Sequence, residues 1–180
     1  MESLKLNDVV FGVDVGFKTS ASAIAVLKNM GTTLEIVEVF KLDPFASYGG
    51  TKEDFFCRNM VLHGIERLMQ IYLPKIVIIE KPMFQSKANE NFLKFFGLFE
   101  NLCYEEGMPF LYVPPTTVKA KLGGGRLEKD EMAERCLHYC TGKKCQRLIR
   151  KAIKNGEWDI TDSIAIGIAG LLIAGQTDER

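Results

Sequence analysis

Apolar runs near the N-terminus predict a three-stranded antiparallel meander. Residues Val9 to Asp14 form a short apolar run that ends in a carboxylate, which is typical of a buried strand. Two further β-rich runs follow, Ser22 to Leu27 and Leu34 to Phe40, and Asn29-Met30-Gly31 between them has the composition of a turn. Because short connections join antiparallel neighbours, we expect the three runs to pair in chain order.

Farther along, the pattern predicts helices that alternate with strands. Thr51-x-x-Asp54 resembles a capping box, and apolar residues at helical spacing follow it as far as Pro74. Lys75 to Glu80 is a nearly unbroken apolar run, which suits a central strand covered on both faces. The other predicted elements are helices over Ser86 to Glu106, Glu128 to Cys140 and Ile160 to Ala174, and a strand over Phe110 to Val113.

The resulting order, β-β-β-α-β-α-β-α-α, predicts an α/β fold. Hairpin strands followed by crossover helices produce a mixed sheet, here of five strands, with helices on both faces. No internal repeat or long linker divides the 180 residues, so we expect one domain over residues 1–180.

Four acidic residues stand where a carboxylate is costly unless its charge is compensated. Asp14 ends the first strand and Glu80 ends the central strand, while Asp159 and Asp162 share one face of the last helix. If the strand ends are neighbours and the helix docks above them, the four carboxylates converge. Such oxygen ligands suit Mg²⁺ or Mn²⁺, and two ions roughly 3.5–4 Å apart are a common device for phosphodiester hydrolysis.

Each acid also has a separate interpretation. Asp159 and Asp162 are favourable at a helix N-terminus as capping residues, and Glu80 can pair with the lysine that follows it. Asp14 fits a turn, or the phosphate loop of an actin-like kinase, although 180 residues leave no room for the second domain of such a kinase. The joint occurrence of all four on these elements favours a metal site.

Charge is balanced over the whole chain but unevenly distributed. The chain has 23 Lys and Arg against 23 Asp and Glu, which argues mildly against a nucleic-acid-binding protein. The C-terminal third is nevertheless basic, and Lys143 to Lys154 is an amphipathic run that fits either a helix resting on DNA or a solvated helix face. A polar N-terminus and the lack of an apolar run of roughly 18 residues favour a cytoplasmic protein, and five cysteines fit reduced thiols.

A glycine-rich segment, Gly123 to Gly125, lies among further basic residues. These are Lys119, Lys121, Arg126 and Lys129. Glycines allow the backbone to approach phosphates closely, and the cations would add salt-sensitive affinity for nucleic acid. A solvated loop with ordinary surface lysines explains the same pattern equally well.

With these residues in place, the chain resembles the RuvC family of Holliday junction resolvases. The matching stretches, spread over nearly the whole chain, are Phe11 to Gly16 with the strand Thr19 to Leu27, Val77 to Glu80, Val118-Lys119 through Glu128-Lys129, and Asp159 to Ala165. The resemblance implies an RNase H-like fold, a homodimer, and paired nicking of a four-way DNA junction with Mg²⁺.

The resemblance also implies roles for individual residues. It makes Asp14, Glu80, Asp159 and Asp162 the catalytic metal ligands, and Lys119 and Lys129 the basic residues beside the scissile phosphate. The family often has an aromatic residue three positions after the glutamate. Here Phe84 stands one position later, and its contact with junction bases is an expectation only. Phage members resemble the chain too, so the substrate is either a four-way junction or another branched DNA.

The predicted helix over Ser86 to Glu106 is apolar on nearly every side between Phe92 and Cys103. A helix of this kind is buried all round. In a single sheet-and-helix domain one side would face solvent, so a second subunit is a natural cover and we expect a homodimer. The alternative is a helix sandwiched inside one chain.

The leading hypothesis is a structure-selective endodeoxyribonuclease that hydrolyses branched DNA with two divalent ions. An RNase H-like nuclease on RNA or RNA–DNA hybrids, similar to YqgF proteins, is the alternative. A catalytically silent nucleic-acid-binding module is a third possibility, which the retention of all four acids disfavours.

Overall fold

A computed structural model of the chain describes residues 4–16, 22–42, 54–81 and 90–175. The strands in these ranges are β1 (Val9–Asp14), β2 (Ser22–Asn29), β3 (Leu34–Leu42), β4 (Ile76–Glu80) and β5 (Phe110–Val113). The helices are α1 (Asp54–Tyr72), α2 (Glu90–Glu105), α3 (Pro115–Lys121), α4 (Lys129–Tyr139), α5 (Lys143–Asn155) and α6 (Trp158–Ala174).

The strands form one mixed sheet in the order β3-β2-β1-β4-β5. β2 pairs antiparallel with both β1 and β3, as the short turns predict. β4 pairs parallel with both β1 and β5, because helices connect these strands. The predicted meander and the mixed five-stranded sheet are confirmed.

Helices cover both faces of the sheet, because successive residues of a strand point to opposite faces. In β4, Ile76 and Ile78 belong to the core beneath α3 to α6, whereas Val77 and Ile79 belong to the core beneath α1 and α2. The predicted α/β architecture is therefore confirmed. In the described part of the chain no helix combines the length and the apolar character needed to cross a membrane, and the cytoplasmic location stays a prediction.

Two helices differ from the predicted order. The predicted order has no helix between the strand Phe110 to Val113 and the helix Glu128 to Cys140, but α3 begins there at Pro115. At the first helical position the fixed φ of proline suits a helix and its missing N–H costs nothing. The amphipathic run from Lys143 is helix α5. Thr51 of the predicted capping box, the predicted helix start at Ser86, and the aromatic Phe84 lie outside the described residues.

Helix α2 has one buried face and one exposed face. Its buried residues include Phe95, Phe99 and Cys103, which pack on the sheet. Leu93 and Leu98 are each 46% exposed, so the interpretation of a helix sandwiched inside one chain is wrong. The exposed apolar face is the one that the homodimer expectation requires.

Candidate active site

Asp14 and Glu80 lie side by side at one edge of the sheet. β1 and β4 are parallel neighbours, and Val13 pairs with Ile79, so the residue that follows each reaches the same edge. The two carboxylates therefore come from strands that the chain separates by more than 60 positions but the sheet makes adjacent.

Helix α6 brings the other two acids to the same edge. Asp159 lies in its first turn and Asp162 follows one turn later. The helix packs directly on β1, where a Cβ added at Gly12 would overlap the carbonyl oxygen of Ser163 and the backbone of Gly167. Glycine at position 12 is therefore required for the close approach that sets the height of the acids above Asp14.

All four predicted acids line one cleft of about 350 Å³. The other lining residues are Pro115, Val118, Lys119, Lys129, Met132 and Ile166. The structure thus brings together the six residues expected to be catalytic, from β1, β4, α3, α4 and α6.

Two lysines compensate part of the negative charge in the cleft. The Nζ of Lys129 donates a hydrogen bond to Oδ2 of Asp162 at 3.1 Å. The Nζ of Lys41 lies 3.7 Å from Oδ2 of Asp159. Lys41 was not predicted. The pairing of the three antiparallel strands could have indicated it, because Ala23 of β2 pairs with Asp14 of β1 on one side and with Lys41 of β3 on the other.

Burial and the charges of neighbouring carboxylates disfavour the charged forms of Asp14, Glu80 and Asp162. Burial, followed by the charges of Asp162, Glu80 and Asp159, raises the pKa of Asp14 to about 8. Burial and the charge of Asp162 raise the pKa of Glu80 to about 7. Burial also raises the pKa of Asp162, although the nearby ammonium of Lys129 opposes this shift.

The pKa of the Lys129 ammonium is also shifted by its position among the acids. Burial lowers the pKa of its ammonium, but the charges of Asp162, Asp14 and Asp159 outweigh burial and the pKa is raised. The lysine therefore stays charged among the acids and acts as their counter-ion.

The chemistry of the cleft fits divalent cations. Oδ1 of Asp162 is buried without a hydrogen-bond partner among the described residues, and a buried carboxylate oxygen in that condition needs a positive partner. The donors are all carboxylate oxygens, which suit Mg²⁺ or Mn²⁺. Across the described ranges, no three His, Cys, Asp or Glu side chains lie close enough together to hold one ion in their present positions.

Two residues predicted to bind nucleic acid lie outside the cleft lining. Lys121 ends α3 and is partly buried, and Arg126 is exposed in the loop before α4. In this loop Gly123 has a φ of +114°, which explains a glycine there by backbone conformation without any ligand.

Comparison with known proteins shows structural similarity without detectable sequence matches. No protein-family model and no curated protein sequence matches the chain. RuvC of Thermus thermophilus in complex with a Holliday junction substrate has a TM-score of 0.67 at 19% identity, covering 94% of this chain and 96% of that chain. The yeast mitochondrial Holliday junction resolvase Ydc2 has a TM-score of 0.69 at 16% identity, covering 97% and 82%.

A viral structure has the same architecture. The fowlpox virus resolvase, solved with Holliday junction DNA, has a TM-score of 0.55 at 18% identity and covers 92% of this chain and 97% of that chain. Because these similarities cover at least 92% of this chain and at least 82% of each of the three neighbours, they concern the whole fold and not a shared substructure. The chain therefore has the RNase H-like fold of the RuvC-type Holliday junction resolvases.

Proposed function

We propose that this chain is a divalent-metal-dependent endodeoxyribonuclease that hydrolyses phosphodiester bonds in four-way junctions or other branched DNA. One observation carries the proposal: Asp14, Glu80, Asp159 and Asp162, from three separate elements, line a single cleft edged by lysines. Structural roles do not explain why all four acids share one cleft, since the other three raise the cost of ionising Asp14. Asp162 likewise raises the cost of ionising Glu80.

We assign these four acids as the ligands of two Mg²⁺ or Mn²⁺ ions. Such ions, when bound, supply an activated water and stabilise the leaving oxygen of the phosphodiester. The buried, unpartnered Oδ1 of Asp162 supports the assignment, because it is an acceptor that the protein itself leaves unused. Lys41 acts as a positioning residue, since its ammonium holds the carboxylate of Asp159 in the metal-free chain.

We assign Lys119 and Lys129 to the scissile phosphate. Both line the cleft, and Lys129 already lies within hydrogen-bond distance of an anionic oxygen. A phosphate that enters beside the ions presents similar oxygens, so either ammonium can donate to it and orient it. Lys121 and Arg126, outside the cleft, are assigned to the flanking DNA backbone.

The substrate class is supported by the solved structures with this fold. The Thermus RuvC and the fowlpox resolvase are each described with Holliday junction DNA, and the yeast protein is a Holliday junction resolvase. Cutting two strands of one junction requires two active sites, which a symmetric dimer supplies.

We propose that the exposed face of α2 forms that dimer. Leu93 and Leu98 are half exposed on it, and Tyr104 at the end of the helix is 87% exposed. Sedimentation of the wild-type chain should give a dimer, and Leu93→Glu with Leu98→Glu should give a monomer of unchanged secondary structure. A wild-type chain that is monomeric at micromolar concentration would exclude this interface.

Cleavage assays test the function directly. The purified chain is incubated with a synthetic four-way junction, a flap duplex and an RNA–DNA hybrid, each with Mg²⁺ or with a chelator. We expect Mg²⁺-dependent paired nicks in the junction, lost in Asp14→Asn and kept in Glu134→Gln, which alters an exposed acid of α4 away from the cleft. Cleavage of the hybrid alone would replace junction resolution with an RNase H-like activity, and no cleavage of any substrate would refute the proposal.

A further inference from the structure

Helix α5 concentrates positive charge in a chain that is neutral overall. Six of its thirteen residues are Lys or Arg and none is acidic. The full sequence has equal numbers of basic and acidic residues. A net charge of zero therefore conceals a local positive potential at this helix.

The cations of α5 are ordered on one face. The buried residues of the helix are Cys145, Ile149 and Ala152. The opposite face carries a line of exposed cations, called here the α5 stripe, which consists of Lys143, Arg147, Arg150 and Lys154. Their spacing of four, three and four residues stacks them along one side of the helix, over about 16 Å at 1.5 Å per residue.

Among the described residues, no carboxylate forms a salt bridge with any of the four cations of the α5 stripe. By contrast, Lys129 of the cleft pairs with Asp162, and Lys41 beside the cleft pairs with Asp159. Like charges at this helical spacing repel each other and destabilise the helix. An external polyanion would relieve that repulsion.

The α5 stripe starts beside the cleft and leads away from it. Three residues separate the end of α5 from Asp159 of the cleft. At the other end, the N–H of Thr141 donates to the carbonyl oxygen of Leu34 at 2.9 Å, at the far end of the sheet from Asp14. The helix therefore runs from the far end of the molecule to the cleft, with its cations facing outward.

We propose that the α5 stripe binds the phosphate backbone of a duplex arm that extends from the cleft. This proposal rests on the proposed function of the cleft in cutting branched DNA. A line of about 16 Å corresponds to roughly five base pairs at about 3.4 Å per pair. The regular spacing of the four cations along one side of the helix fits repeated phosphates.

Salt dependence of DNA binding tests the proposal. The stripe variant replaces Lys143, Arg147, Arg150 and Lys154 with Gln. A matched control replaces Lys5, Lys28, Arg67 and Lys75 with Gln, which removes the same charge from residues that belong neither to the cleft lining nor to α5. Affinity for a four-way junction is measured between 50 and 200 mM salt (about a fourfold range) in a chelator, so that no strand is cut.

We expect the slope of log affinity against log salt to become shallower by about 3 to 4 in the stripe variant, since each neutralised phosphate contributes about 0.9. Over that salt range the wild type would then lose about 100-fold more affinity than the variant. The control should keep the wild-type slope. Equal slopes for the stripe variant and the control would overturn the proposal.

Two further measurements keep the outcomes separate. The melting temperature of the stripe variant should equal or exceed that of the wild type, because like-charge repulsion is removed. The wild type should bind a junction whose arms extend past α5 more tightly than a junction whose arms end before it. Equal affinity for the two junctions would also overturn the proposal. If the wild type binds with the expected slope but cuts no branched DNA in Mg²⁺, the α5 stripe stands and the proposed function falls.

Discussion

Lys129 engages only one of the two carboxylate oxygens of Asp162: its Nζ lies 3.1 Å from Oδ2, while Oδ1 is buried without a partner among the described residues. The lysine neutralises part of the charge of the acids and leaves one oxygen unused. That unpartnered oxygen is the one assigned to a metal ion under the proposed function.

Under the proposed function, Lys129→Met should abolish junction cleavage, and it should also destabilise the metal-free chain. The cleft loses the ammonium proposed to orient the scissile phosphate, so we expect junction cleavage to fall by about 100-fold or more. The remaining acids repel each other without their counter-ion, so the melting temperature in a chelator should fall at pH 8. Lys75→Met, an exposed lysine at the far end of the sheet, should change neither quantity. Normal cleavage by Lys129→Met would remove this lysine from the mechanism.

Stability of the metal-free chain should decrease as pH rises. The pKa of Asp14 rises from an ordinary 3.8 to about 8 on folding, and that of Glu80 from 4.5 to about 7. The folded chain therefore binds these protons more tightly than the unfolded chain, and the free energy of unfolding falls from about pH 4 to about pH 8. Asp14→Asn removes the larger shift, so it should raise the melting temperature at pH 8 and have little effect at pH 4.

The size of the expected change in melting temperature follows from the size of the pKa shift. One pKa unit corresponds to about 1.4 kcal/mol, and each kcal/mol shifts the melting temperature of a chain of this length by about 2–4 °C. Thermal melts of the wild type and Asp14→Asn in a chelator at both pH values measure the difference. A lower melting temperature for Asp14→Asn at pH 8 would mean that Asp14 is stabilised as a carboxylate by some partner other than a metal.

Gly12→Ala should separate α6 from β1. Its methyl group would overlap the carbonyl oxygen of Ser163 and the backbone of Gly167. These nearest atoms are all backbone atoms of α6, so no flexible side chain can yield. We expect destabilisation of about 1–3 kcal/mol and a loss of cleavage, because the acids of α6 are displaced from Asp14. Gly125→Ala is the control, since a Cβ there meets no atom within 4 Å. If denaturation curves of Gly12→Ala and the wild type coincide, the close approach of α6 is not required.

Strand and helix periodicity predicted most of the fold and the four acids. β1 and β4 are apolar runs that each end in a carboxylate, and their parallel pairing follows from the intervening helix. Helix α3 was not predicted, because two consecutive prolines usually interrupt a helix or strand. Here the second proline, Pro115, is the first residue of the helix, where proline is favourable.

Other features could not be predicted because they depend on packing between distant elements. The tight contact of Gly12 with Ser163 exists only once α6 lies on β1, and neither glycine nor serine signals it alone. The orientation of the cations of α5 is visible in the sequence as an amphipathic run, but its direction toward the cleft depends on how Thr141 joins Leu34.

Binding of Mn²⁺ to the metal-free chain, followed by electron paramagnetic resonance, examines the proposed metal site without DNA or turnover. We expect saturable binding of up to two ions per chain at pH 7.5, weakened at least about tenfold by Asp14→Asn and by Asp162→Asn and unchanged by Glu134→Gln. Binding of the same strength in all four proteins would contradict the claim that these acids hold the ions.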